Sequence, residues 1–347
     1  MQQVTGNKPW RWAKSRESHQ QMADMIYGYF ASQIVRTFVE LSIADHLADG
    51  PRSTDEIAER TGAEPVVVAR LLRTGIVYGL IEVDADGRHH GTPLTETLQS
   101  SAPRSLRGMA LGATNNSHWT PWSGLPGAAR TGQCQSEAKL GMPSFDYLAQ
   151  NPVEAEEFTA YMESLTGLWA IDLARVIDTE GVGLAIDVGG ANGALLRELR
   201  VANPGLRGVV FDRPDVATAV APVVAESGES DHIQVIGGDF FEGVPAGDLY
   251  LLKFILHDWD DDRCVQILSR CREAMRPGAR VVIIEMIVGE SNDPGVAALM
   301  DLNMLVVTGG RERSITEYDE LLKRAGLQRI SVSNDSPPQG VIESVAL

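Results

Sequence analysis

The residues best placed by type and spacing to do chemistry lie between Leu184 and Asp212. Leu184-Ala185-Ile186-Asp187-Val188-Gly189-Gly190-Ala191-Asn192-Gly193 is an apolar run that stops at an acid and two glycines. A helical pattern, Ala194 to Val201, follows it. A second apolar run, Gly208-Val209-Val210-Phe211, then ends on Asp212. Strand, glycine turn, helix, strand and acid form the plan of a site for an adenosine-bearing cofactor. The glycines let the backbone approach a ligand in conformations that a Cβ forbids. The acid that ends the second strand can accept hydrogen bonds from both ribose hydroxyls.

A glycine turn after a strand serves nicotinamide, flavin and S-adenosylmethionine enzymes alike. Three details favour S-adenosylmethionine. Asp187 lies just before the glycines, where it can meet a cationic amino group rather than a pyrophosphate. Gly189, Gly190 and Gly193 lack the spacing of the dinucleotide fingerprint. Gly238-Asp239-Phe240-Phe241 follows the third expected strand, and an acid beside aromatic rings suits an adenine, whose amine donates and whose face stacks.

Around these residues the chain must build two kinds of structure. From 181 onward strands at 184–188, 208–212, 233–237, 248–254 and 280–286 alternate with helices at 193–202, 215–226 and 261–276. A closing pair, 328–334 and 341–346, flanks Pro337-Pro338. Such alternation predicts a parallel sheet covered on both faces, an α/β fold. Before it, Ile26, Phe30, Ile34, Phe38, Leu41 and Leu47 recur at helical spacing and predict one long apolar helix over 23–47. Ser53 and Glu56 read as a capping box, Gly62 as a helix end and Pro65 as a first helical turn. A hairpin over 80–92 turns at Asp86-Gly87. Helices followed by a hairpin make the pattern of a winged helix. The stretch 100–180 reads as mostly helical. It holds a Gly/Pro-rich segment, 121–132, and the aromatic positions His118, Trp119, Trp122, Phe145, Tyr147, Phe158, Tyr161 and Trp169. The expected domains are 1–105, a helical linker 106–180, and 181–347.

The net charge of −17 over 347 residues disfavours a broad phosphate-binding surface. Three cysteines, Cys134, Cys264 and Cys271, without metal-ligand spacing argue for a reducing cytosol rather than a disulfide framework. No apolar run approaches membrane-spanning length. A cytoplasmic protein that binds neither nucleic acid nor membrane is the expectation, and no metal is expected: Asp260 is read as a helix cap, with Asp261 and Asp262 favouring the helix's positive end.

These motifs, together with Leu252-Lys253-Phe254-Ile255-Leu256-His257-Asp258-Trp259 and Gly309-Gly310-Arg311-Glu312-Arg313, resemble one family over nearly the whole chain. It is the S-adenosylmethionine-dependent O-methyltransferases of the plant caffeic acid type and their bacterial natural-product relatives. The resemblance implies a Rossmann-like class I methyltransferase sheet behind an N-terminal, all-helical winged-helix dimerisation domain. It implies that Gly189 and Gly190 meet the cofactor's amino-acid end, Asp212 the ribose, Asp239 and Phe240 the adenine, with Lys253 near it and Thr166 at the cofactor carboxylate. It places His257 on the family's general base and Glu285 and Glu312 on the carboxylates that flank it. Trp259 and Thr308 fall on the acceptor side. The chain departs from the plant pattern at Met304-Leu305-Val306-Val307-Thr308-Gly309, so a lignin monomer is not the expected acceptor.

Methyl transfer from a sulfonium is an in-line displacement whose leaving group is already activated. The protein must align oxygen, methyl and sulfur and remove a proton from the acceptor. A phenol has a pKa near ~10, so a base increases the supply of nucleophile. His257 follows the fourth strand, at the sheet edge where doubly wound folds place ligands. A carboxylate such as Glu312 on the other ring nitrogen would fix the tautomer. Met162, Trp169, Met300 and Met304 are candidates to line a flat acceptor pocket, since Met and Trp suit planar rings.

Two other readings use the same residues. The winged helix could serve a ligand-sensing DNA-binding regulator, but residues 51–100 carry five Arg and no Lys against eight Asp and Glu. The fold could use S-adenosylmethionine as a structural ligand for decarboxylation or hydroxylation, against which His257 and its two carboxylates argue. The leading expectation is an O-methyltransferase of an aromatic small molecule, a secondary metabolite, acting as a homodimer.

Overall fold

The computed structural model describes residues 17–347 apart from 291, 293, 337 and 338, and of 169–172 and 334–336 the backbone alone. Trp10, Trp12, the side chain of Trp169 and Pro337-Pro338 therefore lie outside the described residues. The chain divides into two compact units. One comprises residues up to Asn115 with Glu156–Ser164; the other comprises Asn116–Ala155 with Leu165–Leu347. The stretch expected as one linker, 106–180, is shared between them.

In the first unit, helices Tyr29–Glu40, Ile43–Ala48, Thr54–Thr61 and Pro65–Val77 precede a hairpin of β1 (Ile81–Val83) and β2 (His89–Gly91). Local chemistry sets each boundary. The Ser53 side chain accepts from Glu56 N–H while the Glu56 carboxylate accepts from Ser53 N–H, a complete capping box. Gly62 closes that helix at φ 65°, and Pro65 opens the next. The single helix expected over 23–47 is instead three: Ser18–Ile26, Tyr29–Glu40 and Ile43–Ala48. Ser42 takes a left-handed φ of 49°, a conformation that ends helices. The apolar spacing runs across these breaks in phase, which is why periodicity alone reads one element. Phe38, Ile43, Ile57, Leu72 and Ile81 form the buried core here.

The second unit is built on seven strands in the order β5-β4-β3-β6-β7-β9-β8: β3 (Leu184–Val188), β4 (Arg207–Asp212), β5 (Ile233–Gly237), β6 (Gly247–Lys253), β7 (Met275–Met286), β8 (Leu327–Ser336) and β9 (Gln339–Ala346). The first five are parallel, and β9 runs antiparallel to both β7 and β8. Side chains alternate between the faces along each strand. Tyr250 and Leu252 of β6 pack with Cys264, Ile267, Leu268 and Cys271 of helix Asp261–Ala274. Leu249 and Leu251 pack on the other face with Leu195, Leu196 and Leu199 of helix Ala194–Ala202. Both faces are thus covered, as a parallel sheet requires.

The chain winds outward from β3 to β4 and β5 on one side, and to β6 and β7 on the other. The crevice between β3 and β6, at the carboxyl ends of the strands, is the point where such folds hold ligands. Gly189 leaves β3 there and Phe254 leaves β6. The cysteines are free thiols, and no described helix is long and apolar enough to cross a membrane.

Candidate active site

The glycine turn after β3 closes against its neighbours because two side chains are missing. Gly189 has φ 71°, and a Cβ there would collide with the Ile255 side chain; a Cβ on Gly190 would lie 2.6 Å from the Asp187 carboxyl carbon. Ala191 follows at φ 45°, and its N–H donates to Asp212 Oδ2 at 2.9 Å. Asp212 Oδ1 accepts from Arg213 N–H at 2.7 Å. Each carboxylate oxygen keeps a second acceptor position, so Asp212 fixes the turn and can still receive a diol.

Asp187 is 3% exposed. Burial raises its pKa to about 7, with Lys253 opposing and Asp212 adding to the rise. Burial lowers Lys253 to about 8, opposed by Asp187 and Glu285. Beyond β5, Asp239 Oδ1 accepts from Phe241 N–H at 2.8 Å. A Cβ on Gly238 would lie 2.5 Å from the Phe211 ring. A glycine-walled turn, an acid ending β4 and an acid beside aromatic rings after β5 make a cradle that fits an adenosylated amino acid.

Trp259, expected on the acceptor side, packs among the aromatic rings beside this cradle. Its ring meets Phe241 edge-on at 4.8 Å, Phe240 at 6.0 Å, and stacks near Phe145 at 6.2 Å. Its apolar body packs, with Phe240 and Phe241, against the core cluster.

The second half of the site is the turn after β6. Phe254 leaves the strand at φ 56°, a strained conformation for a bulky residue. Leu256–Asp258 then form one turn of 3₁₀ helix. Glu285, wholly buried near the end of β7, pins this turn from below. Its Oε1 accepts from the N–H groups of Ile255, Leu256 and His257 at 3.0, 2.8 and 3.3 Å. The segment Gly309-Gly310-Arg311-Glu312-Arg313 grips the turn from the other side. Arg311 N–H donates to the His257 carbonyl at 2.8 Å. The Arg313 guanidinium, 0% exposed, donates to the carbonyls of Leu256 and Trp259 at 3.0 and 2.8 Å and to Asp261. Arg311 also pairs with Asp261, so neither arginine neutralises the glutamates.

His257 is thereby held between acids. Its Nδ1 lies 2.8 Å from Glu312 Oε1 and 3.4 Å from Glu285 Oε2, and its Nε2 lies 4.0 Å from Asp258 Oδ1. The Phe254 ring stacks on the imidazole at 5.3 Å and 11°, and the Lys253 ammonium sits 4.5 Å from the Phe254 centroid. Burial would push the imidazole pKa down, but Glu285, Asp258 and Glu312 outweigh it and raise it to about 10. Burial raises Asp258 to about 6, with His257 opposing, and raises Glu285 to about 7 against the same opposition. The arrangement is an imidazole whose Nδ1 is committed to a carboxylate, so that Nε2 is the nitrogen left able to exchange a proton.

Glu312 N–H donates to Asp301 Oδ1 at 3.0 Å, which ties this grip to helix Ala297–Val307. On that helix Met304 is buried and Met300 half-buried, and the Thr308 hydroxyl donates to the Met304 carbonyl at 3.0 Å. Asn303 Oδ1 accepts from Trp122 Nε1–H at 2.8 Å. Thr166 is buried in helix Pro152–Val176. Met162 lies on the part of that helix belonging to the first unit. Sequence reasoning missed Phe254, Asp301 and Asn303, and gave Arg313 no role. The signal for Arg313 was present: a cation beside Glu312 in a glycine-led segment.

The O-methyltransferase domain profile matches residues 122–328, and the O-methyltransferase dimerisation domain profile matches residues 23–101. The chain is 34% identical to phenazine O-methyltransferase PhzM of Lysobacter antibioticus over 312 residues, 89% of this chain and 91% of the relative. The crystal structure of LaPhzM superposes with a TM-score of 0.90 at 32% identity, covering 96% of this chain and 100% of that one. The O-methyltransferase NcsB1 from neocarzinostatin biosynthesis, solved with S-adenosylmethionine and 2-hydroxy-5-methyl naphthoic acid, gives 0.79 at 32% identity, over 96% of this chain and 100% of that one. The chain belongs to the O-methyltransferase family and carries both its dimerisation domain and its methyltransferase domain.

Proposed function

We propose that this O-methyltransferase moves the methyl group of S-adenosylmethionine to a hydroxyl of an aromatic small molecule, with His257 as general base. The observation that carries the reading is His257 Nδ1 held at 2.8 Å by buried Glu312, at the sheet edge that also holds the glycine turn. The bound sulfonium supplies an activated methyl group, so no covalent enzyme intermediate is needed. Asp187 and the backbone of Gly189 and Gly190 hold the amino-acid end of the donor, with Thr166 toward its carboxylate. Asp212 takes the ribose hydroxyls. Asp239, Phe240 and Trp259 hold the adenine, with Lys253 alongside. Met300, Met304 and Thr308 face the acceptor ring. His257 Nε2 takes the acceptor's proton while Glu312 keeps Nδ1–H in place and balances the imidazolium. NcsB1, bound to a hydroxylated naphthoic acid, supports an aromatic acceptor. Incubation with donor and a panel of phenolic, quinonoid and phenazine compounds, read by mass spectrometry, tests the reading. A product with one added methyl supports it; a decarboxylated or hydroxylated product overturns it.

An imidazole raised to about 10 matches a phenol near ~10, so proton transfer between them is close to thermoneutral. It also means that the neutral base is scarce at pH 7. For a fixed phenolic acceptor, kcat/KM is therefore expected to rise with pH through the alkaline range. Glu312→Gln removes an anion that stabilises the imidazolium, so the rising limb moves to lower pH. A limb that stays put in the variant contradicts this role for Glu312.

Donor affinity depends separately on Asp212. Asp212→Ala loses both hydroxyl bonds and releases the Ala191 N–H, and charge-assisted hydrogen bonds are each worth ~1.5–3 kcal/mol. The Kd for S-adenosylhomocysteine is expected to rise about 10–100-fold or more. Calorimetry showing an unchanged Kd would remove Asp212 from the donor site.

The protein acts as a homodimer. Met22, Met25, Ile26, Tyr27, Tyr29 and Phe30 are all at least 43% exposed and adjoin or lie within the dimerisation profile, 23–101. Contiguous apolar exposure of this kind marks an interface. Light scattering is expected to return twice the chain mass of 37.6 kDa; a monomer would refute the assignment.

A further inference from the structure

The acids around His257 do more than one base needs. Glu285 spends Oε1 on three backbone N–H groups, yet its Oε2 accepts no hydrogen bond from any described residue. Glu312 spends Oε1 on His257 Nδ1, and its Oε2 is likewise unpartnered. Both residues are over nine-tenths buried, at 0% and 4% exposed. Asp258 adds a third carboxyl, 4.0 Å from Nε2. One imidazolium therefore faces a surplus of buried anionic oxygen, an arrangement that invites a further cation.

The donor atoms are also close enough to share one. One ligand atom each from His257, Glu285 and Glu312 lie within 4.8 Å of one another. They come from three chain segments: the turn after β6, the end of β7, and the Gly309–Arg313 grip. A tetrahedral ion with bonds of about 2.0 Å separates its ligands by about 3.3 Å. His257 Nδ1 and Glu285 Oε2 already stand 3.4 Å apart, and Glu312 Oε1 at 2.8 Å needs a small outward shift of one carboxylate. One imidazole and two carboxylates form a donor set suited to divalent zinc and its neighbours in the first transition row.

We propose that a divalent transition-metal ion of the zinc type binds His257 Nδ1, Glu285 and Glu312 and switches the enzyme off. The inhibitory half rests on the reading of His257 as the base. When the ion takes Nδ1, the proton now on that nitrogen is released to solvent. The neutral ring's remaining proton then sits on Nε2, the nitrogen that must be free to accept one. Metal and acceptor thus compete for one imidazole through its two faces, and water completes the ion's coordination.

Cobalt(II) reports the binding half without turnover, because four-coordinate nitrogen and oxygen ligation gives a visible band far more intense than the weak one of the hydrated ion, and displaced from it. The full-length protein, stripped of metal, is titrated with cobalt(II), and Glu312→Gln and His257→Gln are titrated beside it. The expected result is one cobalt(II) per chain in the parent protein, with the band lost in both variants. Zinc(II) at the same stoichiometry is expected to lower turnover at least tenfold, with full recovery on adding a chelator. No band, or a band that persists in either variant, overturns the site and points to surface histidines or Cys134. A band that needs both residues while zinc leaves turnover unchanged overturns the switch and also the role of His257 as base. Two variants at different positions keep the test decisive should one fold poorly.

Discussion

His257→Ala is expected to lower kcat about 10²–10⁴-fold while leaving the Kd for S-adenosylhomocysteine within a few-fold of the parent value. The size follows from what a positioned base contributes: it accepts the acceptor's proton as the carbon–oxygen bond forms. The separation of the two effects follows from the fold. The proposed donor cradle hangs on β3, β4 and β5 through Gly189, Gly190, Asp212 and Asp239, whereas His257 belongs to the turn after β6. That turn is held by its backbone, through Glu285 on the N–H groups and Arg313 on the carbonyls. Loss of the ring therefore removes the proposed base without releasing the turn. Residual turnover should itself rise with pH, because the acceptor then ionises without help. Parent-level turnover, measured with the same acceptor at pH 7, would show that His257 does no proton transfer.

How much of this was legible in the sequence depends on whether a residue's job is local. The Ser53–Glu56 capping box, the Asp86-Gly87 hairpin and the β3 glycine turn each join residues a few positions apart, and their chemistry is readable from spacing. The strands were readable because a covered parallel sheet demands unbroken apolar runs. Three things were not. The breaks around Gly28 and Ser42 leave the apolar period intact, so no pattern marks them. The packing of Trp259 involves Phe240 and Phe241, nineteen and eighteen residues earlier in the chain. Arg313 and Glu285 serve the His257 turn from 56 and 28 residues away, and only the folded sheet edge brings them together. Asp261 claims both Arg311 and Arg313 across a similar distance in sequence.

The grip on that turn yields the second large effect. Gly310→Ala is expected to lower kcat about 10²-fold although the added group never touches substrate. A Cβ on Gly310 would collide with the His257 carbonyl oxygen and would stand 2.5 Å from the carbonyl carbon of Asp258. Both are backbone atoms, so no rotamer change relieves the contact. Something must move, and the choice lies between the Gly309–Arg313 segment and the turn bearing the base. Either movement stretches the Arg311 N–H bond to the His257 carbonyl and the 2.8 Å contact between Glu312 and Nδ1. A shift of about 1 Å at a base is enough for a loss of this size. Stability should fall by only ~1–3 kcal/mol, the usual cost of overpacking, because the sheet and its two cores are untouched. Cooperative thermal unfolding and an unchanged Kd for S-adenosylhomocysteine would therefore accompany the lost turnover. Turnover within about threefold of the parent, in a protein that binds the donor normally, would mean that base position is not governed by this segment.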